Sequence, residues 1–133
     1  MGSNPIINFM VRRITYEDFA EIILNDDFAF SIECGLPEKF EGEKLRYFAT
    51  EDEKCICAVR VTPEEAYIMH IESLQPGNDR KMLEALIDTY YEEGGKEVTL
   101  IAYYGSPGLI DYYESVGFEI QDPGSTLMGY ADD

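Results

Sequence analysis

"SLQPGNDRKMLEAL", residues 73–86, reads as the end of a strand, a tight turn and the first turns of a helix. Pro76 and Gly77 are turn residues. Beyond them Met82, Leu83, Leu86, Ile87, Tyr90 and Tyr91 recur at i, i+3, i+4 spacing, the mark of one apolar helix face. Asn78 or Asp79 stands where a helix N-cap belongs, and Gly94-Gly95 ends the pattern. Such a junction aims unpartnered backbone N–H groups at whatever lies above it, and this is how helix N-termini hold phosphates. Arg80 and Lys81 supply charge there, but the glycines that let a phosphate approach closely are almost absent. "EVTLIAYY" follows as a β-branched strand. A strand–helix–strand unit predicts a parallel strand pair.

The flanks predict antiparallel strands. "LRYFAT", the turn "EDEK" and "CICAVRV" read as a hairpin, and "TPEE" leads into the strand "AYIMHIESL". Near the start, "NFMVRRITY" reads as a strand with Met10, Arg12 and Ile14 on one side. Thr15 then caps "YEDFAEIIL", with Asp18 three residues on and Phe19, Ile22 and Ile23 as its apolar stripe. Residues 25–44 hold at most one short helix before Gly35-Leu36-Pro37. After the second long helix's strand, "GSPGLIDYYESVGF" reads as a helix with Ser106 as N-cap, Pro107 first and Gly117 last. Its stripe is Leu109, Tyr112, Tyr113 and Val116, and "FEIQ" and "STLMGY" close the chain as two strands around "DPG". The expected fold is a mixed α/β single sheet flanked by helices, antiparallel except for one parallel pair.

Length suits one domain over residues 1–133, with "MGSNP" (1–5) read as a tag remnant or disordered start. The net charge is −17, from 27 acidic against 10 basic residues. That argues against nucleic-acid and anionic-membrane partners and suits a cationic substrate or a basic protein. No apolar run approaches a membrane span and no signal pattern stands out, so a cytoplasmic protein is expected. The three cysteines, Cys34, Cys55 and Cys57, are an odd count for a disulfide framework. Cys55 and Cys57 share a strand face and read as small core residues. His70 is the single histidine and metal-ligand spacing is absent, so no metal is expected.

This element order, with "YYESVGF" near the end, resembles the GNAT (Gcn5-related N-acetyltransferase) superfamily over nearly the whole chain from Met10. Tyr113, Glu114, Gly117 and Phe118 fill the family's Tyr-Glu-x-x-Gly-Phe ending. The resemblance implies a GNAT-like acyl-CoA N-acyltransferase fold and acetyl-CoA as co-substrate. It also implies that the junction at 73–86 is the loop whose amides grip the coenzyme A pyrophosphate. Leu74, Gly77, Asn78, Asp79, Arg80, Lys81 and Met82 then become cofactor contacts, and Ser106 stands where relatives carry a cofactor-binding Asn. Aligned on Pro76, the family's Arg/Gln position holds Asp79, and its glycine positions hold Met82 and Glu84. Met82 would crowd a phosphate and Asp79 would repel it. Alternatively Asn78 and Asp79 cap the helix, Arg80 and Lys81 are solvated, and Ser106 is a helix cap.

Acyl transfer to an amine needs a base for the amine, a donor for the carbonyl oxygen and an acid for the thiolate. The resemblance makes Tyr113 the acid. Equally, its place on the apolar stripe suits a core aromatic. His70 and Glu72 lie two apart on one strand, so they share a face and are the candidate base pair. Equally, His70 reads as an exposed or hydrogen-bonded residue and Glu72 as a rim charge. The expected activity is acetyl transfer from acetyl-CoA to a primary amine of a cationic small molecule or protein. Two alternatives stay open: an inactive GNAT-fold binding module for a basic partner, and an acidic decoy of nucleic acid. The terminal strands leave room for a homodimer.

Overall fold

The computed structural model describes residues 6–8, 10–25, 28, 44–102, 108–121 and 126–131. Strands β1 (Ile6–Asn8) and β2 (Val11–Ile14) lead into helix α1 (Tyr16–Asn25). The meander β3 (Lys44–Thr50), β4 (Cys55–Val61) and β5 (Glu65–Ser73) follows. Helix α2 (Asn78–Leu86) continues into a π-helical segment, Ile87–Glu92. Then come β6 (Glu97–Ile101), α3 (Leu109–Val116), β7 (Phe118–Ile120) and β8 (Leu127–Tyr130). The strands form one sheet in the order β1-β2-β3-β4-β5-β6-β8-β7. Every pair is antiparallel except β5–β6, which is parallel, as the crossover through α2 requires.

Both faces of the sheet are covered. On one face, α2 and α3 pack Met82, Leu83, Leu86 and Tyr113 against Phe48, Cys55, Cys57 and Val59. On the other, α1 packs Phe19, Ile22 and Ile23 against Tyr47, Ala49, Ile56 and Ala58. This explains why "CICAV" on β4 does not alternate: with helices on both sides, each of its residues is buried. Cys55 and Cys57 are small core residues, as their spacing predicts. Burial pushes the Cys55 thiol up to about 12 and raises Cys57 as well, so both stay protonated.

Helix α1 starts where Thr15 predicts, with the Asp18 amide donating to Thr15 Oγ1 at 3.1 Å. The first strand differs from expectation. Ile6–Asn8 pairs antiparallel with Val11–Ile14, Asn8 opposite Val11, rather than continuing as one strand through Met10. Val11 therefore faces α2, Arg12 and Ile14 face α1, and Met10 packs on the α2 side instead of beside Ile14. Helix α3 begins at Leu109 with Gly108 at its N-cap. The expected short helix in 25–44, the turn "DPG", Pro107 and Ser106 lie outside the described residues.

Candidate functional site

Strands β5 and β6 pair only from Glu65↔Glu97 to Ile68↔Leu100. Beyond that point β5 runs on to Ser73 while β6 stops at Ile101. The cause is visible on the other edge of β5. Val59 pairs with Ile68 and Ala58 with His70, so Met69 is an extra residue, a β-bulge. A bulge bends its strand and sharpens the local twist. Here it turns β5 away from β6 and opens a cleft of about 210 Å³ lined by Met69, His70 and Ile71, by Leu100 and Ile101, and by Leu109 and Tyr113. The β6-facing edge of β5 past Ile68 has no strand partner among the described residues, so its backbone groups border the cleft.

The bulge also resets which side chains face which helix. Ile68 faces α2 and α3 beside Val59. After Met69, Ile71 and Ser73 lie beside Cys57 and Cys55 on that face, whereas His70 and Glu72 lie beside Ala58 and Ile56 on the α1 face. The cleft thus passes through the sheet. Tyr113 reaches it from the α2–α3 side, and His70, with Glu72 beside it, borders it from the α1 side.

The two sides differ electrically. Tyr113 is 8% exposed, packed on Phe118 and Tyr112 at ring distances of 6.0 and 5.5 Å. Burial, then the nearby Cys57, Asp79 and Cys55, lifts its hydroxyl to about 12, so it is a proton-bearing donor at neutral pH. His70 Nε2 lies 3.4 Å from Glu72 Oε1. Burial lowers the His70 pKa and outweighs the pull of Glu72, leaving a neutral imidazole. A neutral imidazole beside a carboxylate can take a proton and have the resulting cation stabilised.

The start of α2 is built differently from the sequence expectation. Gly77 occupies the N-cap with φ +92°, and no side chain caps the helix. Asn78 is instead 4% exposed and donates from Nδ2 to both Asp52 oxygens at 2.9 Å. It clamps the helix to the β3–β4 turn, where Thr50 Oγ1 and the Lys54 amide also donate to Asp52 at 2.7 and 3.0 Å. Met82 is fully buried in the core, so its side chain does not crowd the space above the helix. The amides of Asp79 and Arg80 have no partner among the described residues. Asp79 carries its charge toward Tyr112, Tyr113 and Cys55, raising all three. Arg80 is turned along the helix to Glu84 at 3.3 Å, and Lys81 acts on Asp52. Leu74 packs against the α1-side core. The structure therefore brings Tyr113 and His70 to one cleft, with Glu72 held on His70, and places Arg80 at the start of α2 against Glu84. The bulge at Met69 and the Asp52–Asn78 clamp went unread in the sequence. The one hint of the bulge was a strand longer than the partner it pairs with.

The solved structures carry the same architecture. Naa50 of Arabidopsis thaliana, in complex with the bisubstrate analogue CoA-Ac-MVNAL, superposes with a TM-score of 0.68 at 13% identity, covering 92% of this chain and 97% of that one. The fold is that of the GNAT N-acyltransferases. The ribosomal-protein-S18-alanine N-acetyltransferase of Escherichia coli shares this GNAT fold at TM-score 0.64 and 18% identity, over 90% of this chain and 91% of that one. Spermidine/spermine N-acetyltransferase SpeG of Vibrio cholerae shares it at TM-score 0.53 and 15% identity, over 92% and 91%. No family profile matches the sequence, and no curated protein matches it. Among the described residues, no cluster of three or more His, Cys, Asp or Glu could hold a metal ion, and no helix is long and apolar enough to cross a membrane.

Proposed function

We propose that this chain is an acyl-CoA-dependent N-acetyltransferase that moves the acetyl group of acetyl-CoA to a primary amine of a cationic small molecule or protein. The observation that carries the reading is the cleft through the sheet, with a proton-bearing phenol on one side and a neutral imidazole paired with a carboxylate on the other. The thioester carbonyl lies in the opening between β5 and β6. The amine enters from the α1 side and gives its proton to His70, Glu72 stabilising the imidazolium. The C–N bond forms, backbone N–H groups of the β5 edge receive the oxyanion, and the C–S bond breaks toward the α2–α3 side.

Tyr113 meets the departing thiolate. Full transfer from a phenol at about 12 to a thiolate of ordinary pKa about 8.5 is uphill by roughly 5 kcal/mol. Tyr113 therefore serves by donating a hydrogen bond, and solvent completes the protonation. The acidic surface concentrates a cationic acceptor near the site. The acceptors named for the structural neighbours, a peptide analogue, a ribosomal-protein alanine and polyamines, are consistent with an amine. The same reading sets the chain in the cytoplasm, where its buried thiols stay reduced.

Steady-state thiol release with acetyl-CoA tests this reading, using spermidine and a lysine-rich peptide as acceptors. Amine-dependent release is expected, and its absence with both sinks the assignment. A second reading has an observation of its own. Arg80 is paired with Glu84 while Asp79 stays at the start of α2, which leaves the pyrophosphate position with an acid beside it and one of its two cations turned away. On that reading the domain is an inactive module for a basic protein. It predicts that acetyl-CoA leaves the melting temperature unmoved and that a basic partner is retained on the immobilised domain and lost in high salt.

A further inference from the structure

The chain carries far more acid than base, yet two arginines stand together with no ion-pair partner among the described residues. Arg13 on β2 is the cross-strand neighbour of Phe48 on β3, and Arg46 is two residues from Phe48 on the same strand. All three side chains therefore point to the α2 face of the sheet. Tyr90, in the π-helical end of α2, sets its ring edge-on to Phe48 at 6.4 Å. The two guanidiniums and the phenol hydroxyl thus converge around one aromatic ring. Lys44 extends the same row at the start of β3, on the face shared with Arg46.

Several other cations among the described residues have partners. Arg12 has Glu53 at 3.0 Å and Arg80 has Glu84. Lys96 donates to the carbonyls of Thr62 and Pro63 at 2.9 and 3.1 Å. Among the described residues, Arg13 makes no ion pair or hydrogen bond, Arg46 makes one 3.4 Å contact to the neighbouring Leu45 carbonyl, and the Tyr90 hydroxyl has no partner. Burial, and then the nearby Arg46, lower the Arg13 pKa. Held side by side, two guanidiniums repel unless an anion bridges them.

We propose that Arg13, Arg46 and Tyr90 form a binding site for a compact phosphate-type dianion, at the opposite end of α2 from the cleft. Two planar forks suit the tetrahedral oxygens of a phosphate, and the phenol adds a neutral donor. The charge of −17 repels any extended polyanion, so a small phosphate or phosphate monoester is the form that reaches this local positive spot. The simplest competing account is that the arginines only complement the negative end of the helix dipole. That account gives them a part in stability and none in ligand binding.

Titration of the full chain with inorganic phosphate at constant ionic strength separates the two, read by NMR of the arginine Nε–Hε groups. Saturable shifts at Arg13 and Arg46 are expected, with acetate binding more weakly. Arg46→Gln is expected to weaken phosphate binding about tenfold through loss of charge-assisted bonds. Tyr90→Phe, which removes one hydroxyl and leaves the ring on Phe48, weakens it severalfold and keeps the proposal testable if an arginine variant unfolds. Shifts that do not saturate, or saturation unchanged in both Arg46→Gln and Tyr90→Phe, overturn the site and leave the helix-dipole account.

Discussion

Replacing Asn78 by Ala probes how the start of α2 is held beside the cleft. The side chain is 4% exposed and donates to both oxygens of Asp52 at 2.9 Å. A hydrogen bond to a charged acceptor contributes about 1.5–3 kcal/mol. Alanine recovers up to about 0.7 kcal/mol through its helix propensity. Asp52 keeps its bonds from Thr50 and Lys54 and reaches solvent, so no buried charge is stranded. The expected net loss is therefore about 1–2 kcal/mol, a fall of roughly 5–10 °C in Tm for a domain of this size.

Urea unfolding of both proteins reads this directly, with the m-value unchanged. The pH dependence supplies a second check. Desolvation pushes the Asp52 carboxyl up, but the bonds from Thr50, Asn78 and Lys54 and the charge of Lys81 outweigh it and hold the pKa below its ordinary value. A depressed carboxylate contributes stability above its unfolded pKa of about 4 and loses it as pH falls through the folded value. The gap between wild type and Asn78→Ala should accordingly narrow below about pH 4. A loss under about 0.5 kcal/mol at neutral pH, or a gap that widens on acidification, would refute the clamp.

Three further outcomes follow from the same geometry. Tyr113→Phe should lower acetyl transfer on the order of a hundredfold while acetyl-CoA affinity stays within about twofold, and equal turnover removes Tyr113 from the mechanism. The acid limb of kcat/KM should lie below the ordinary histidine value of about 6.5, because burial lowers His70, and His70→Gln should abolish that limb. Gly117→Ala should cost about 1–3 kcal/mol, since Gly117 has φ +122° and a Cβ there would stand 2.6 Å from Tyr130 Cε1; an unmoved urea midpoint contradicts this.

The sequence carried the element order well, because its signals are local and regular. Thr15 capped the helix it was read to cap, and the stripe from Met82 to Tyr91 faced the core. The parallel pair followed from the strand–helix–strand unit at 65–101. What stayed hidden depends on cross-strand register and on contacts distant along the chain. The bulge at Met69 shows only once β4 and β5 are paired residue by residue. Asn78 looked like a cap because it sits at the right place, yet its partner Asp52 lies 26 residues earlier. The loss of loop glycines misled in one respect: the Met82 side chain points into the core, where it crowds nothing above the helix. For Asp79 the structure sharpened the matter, since its charge faces Tyr112 and Tyr113 rather than capping the helix.

The central claim is that an acetyl thioester occupies the opening between β5 and β6. Titration of ¹⁵N-labelled protein with acetyl-CoA tests it most directly. Saturable amide shifts should centre on Met69 to Ser73 and on Leu109 to Tyr113, with smaller ones at Asp79 and Arg80. Shifts that are absent, or that centre on other parts of the sheet and leave Met69 to Ser73 unmoved, would contradict the account.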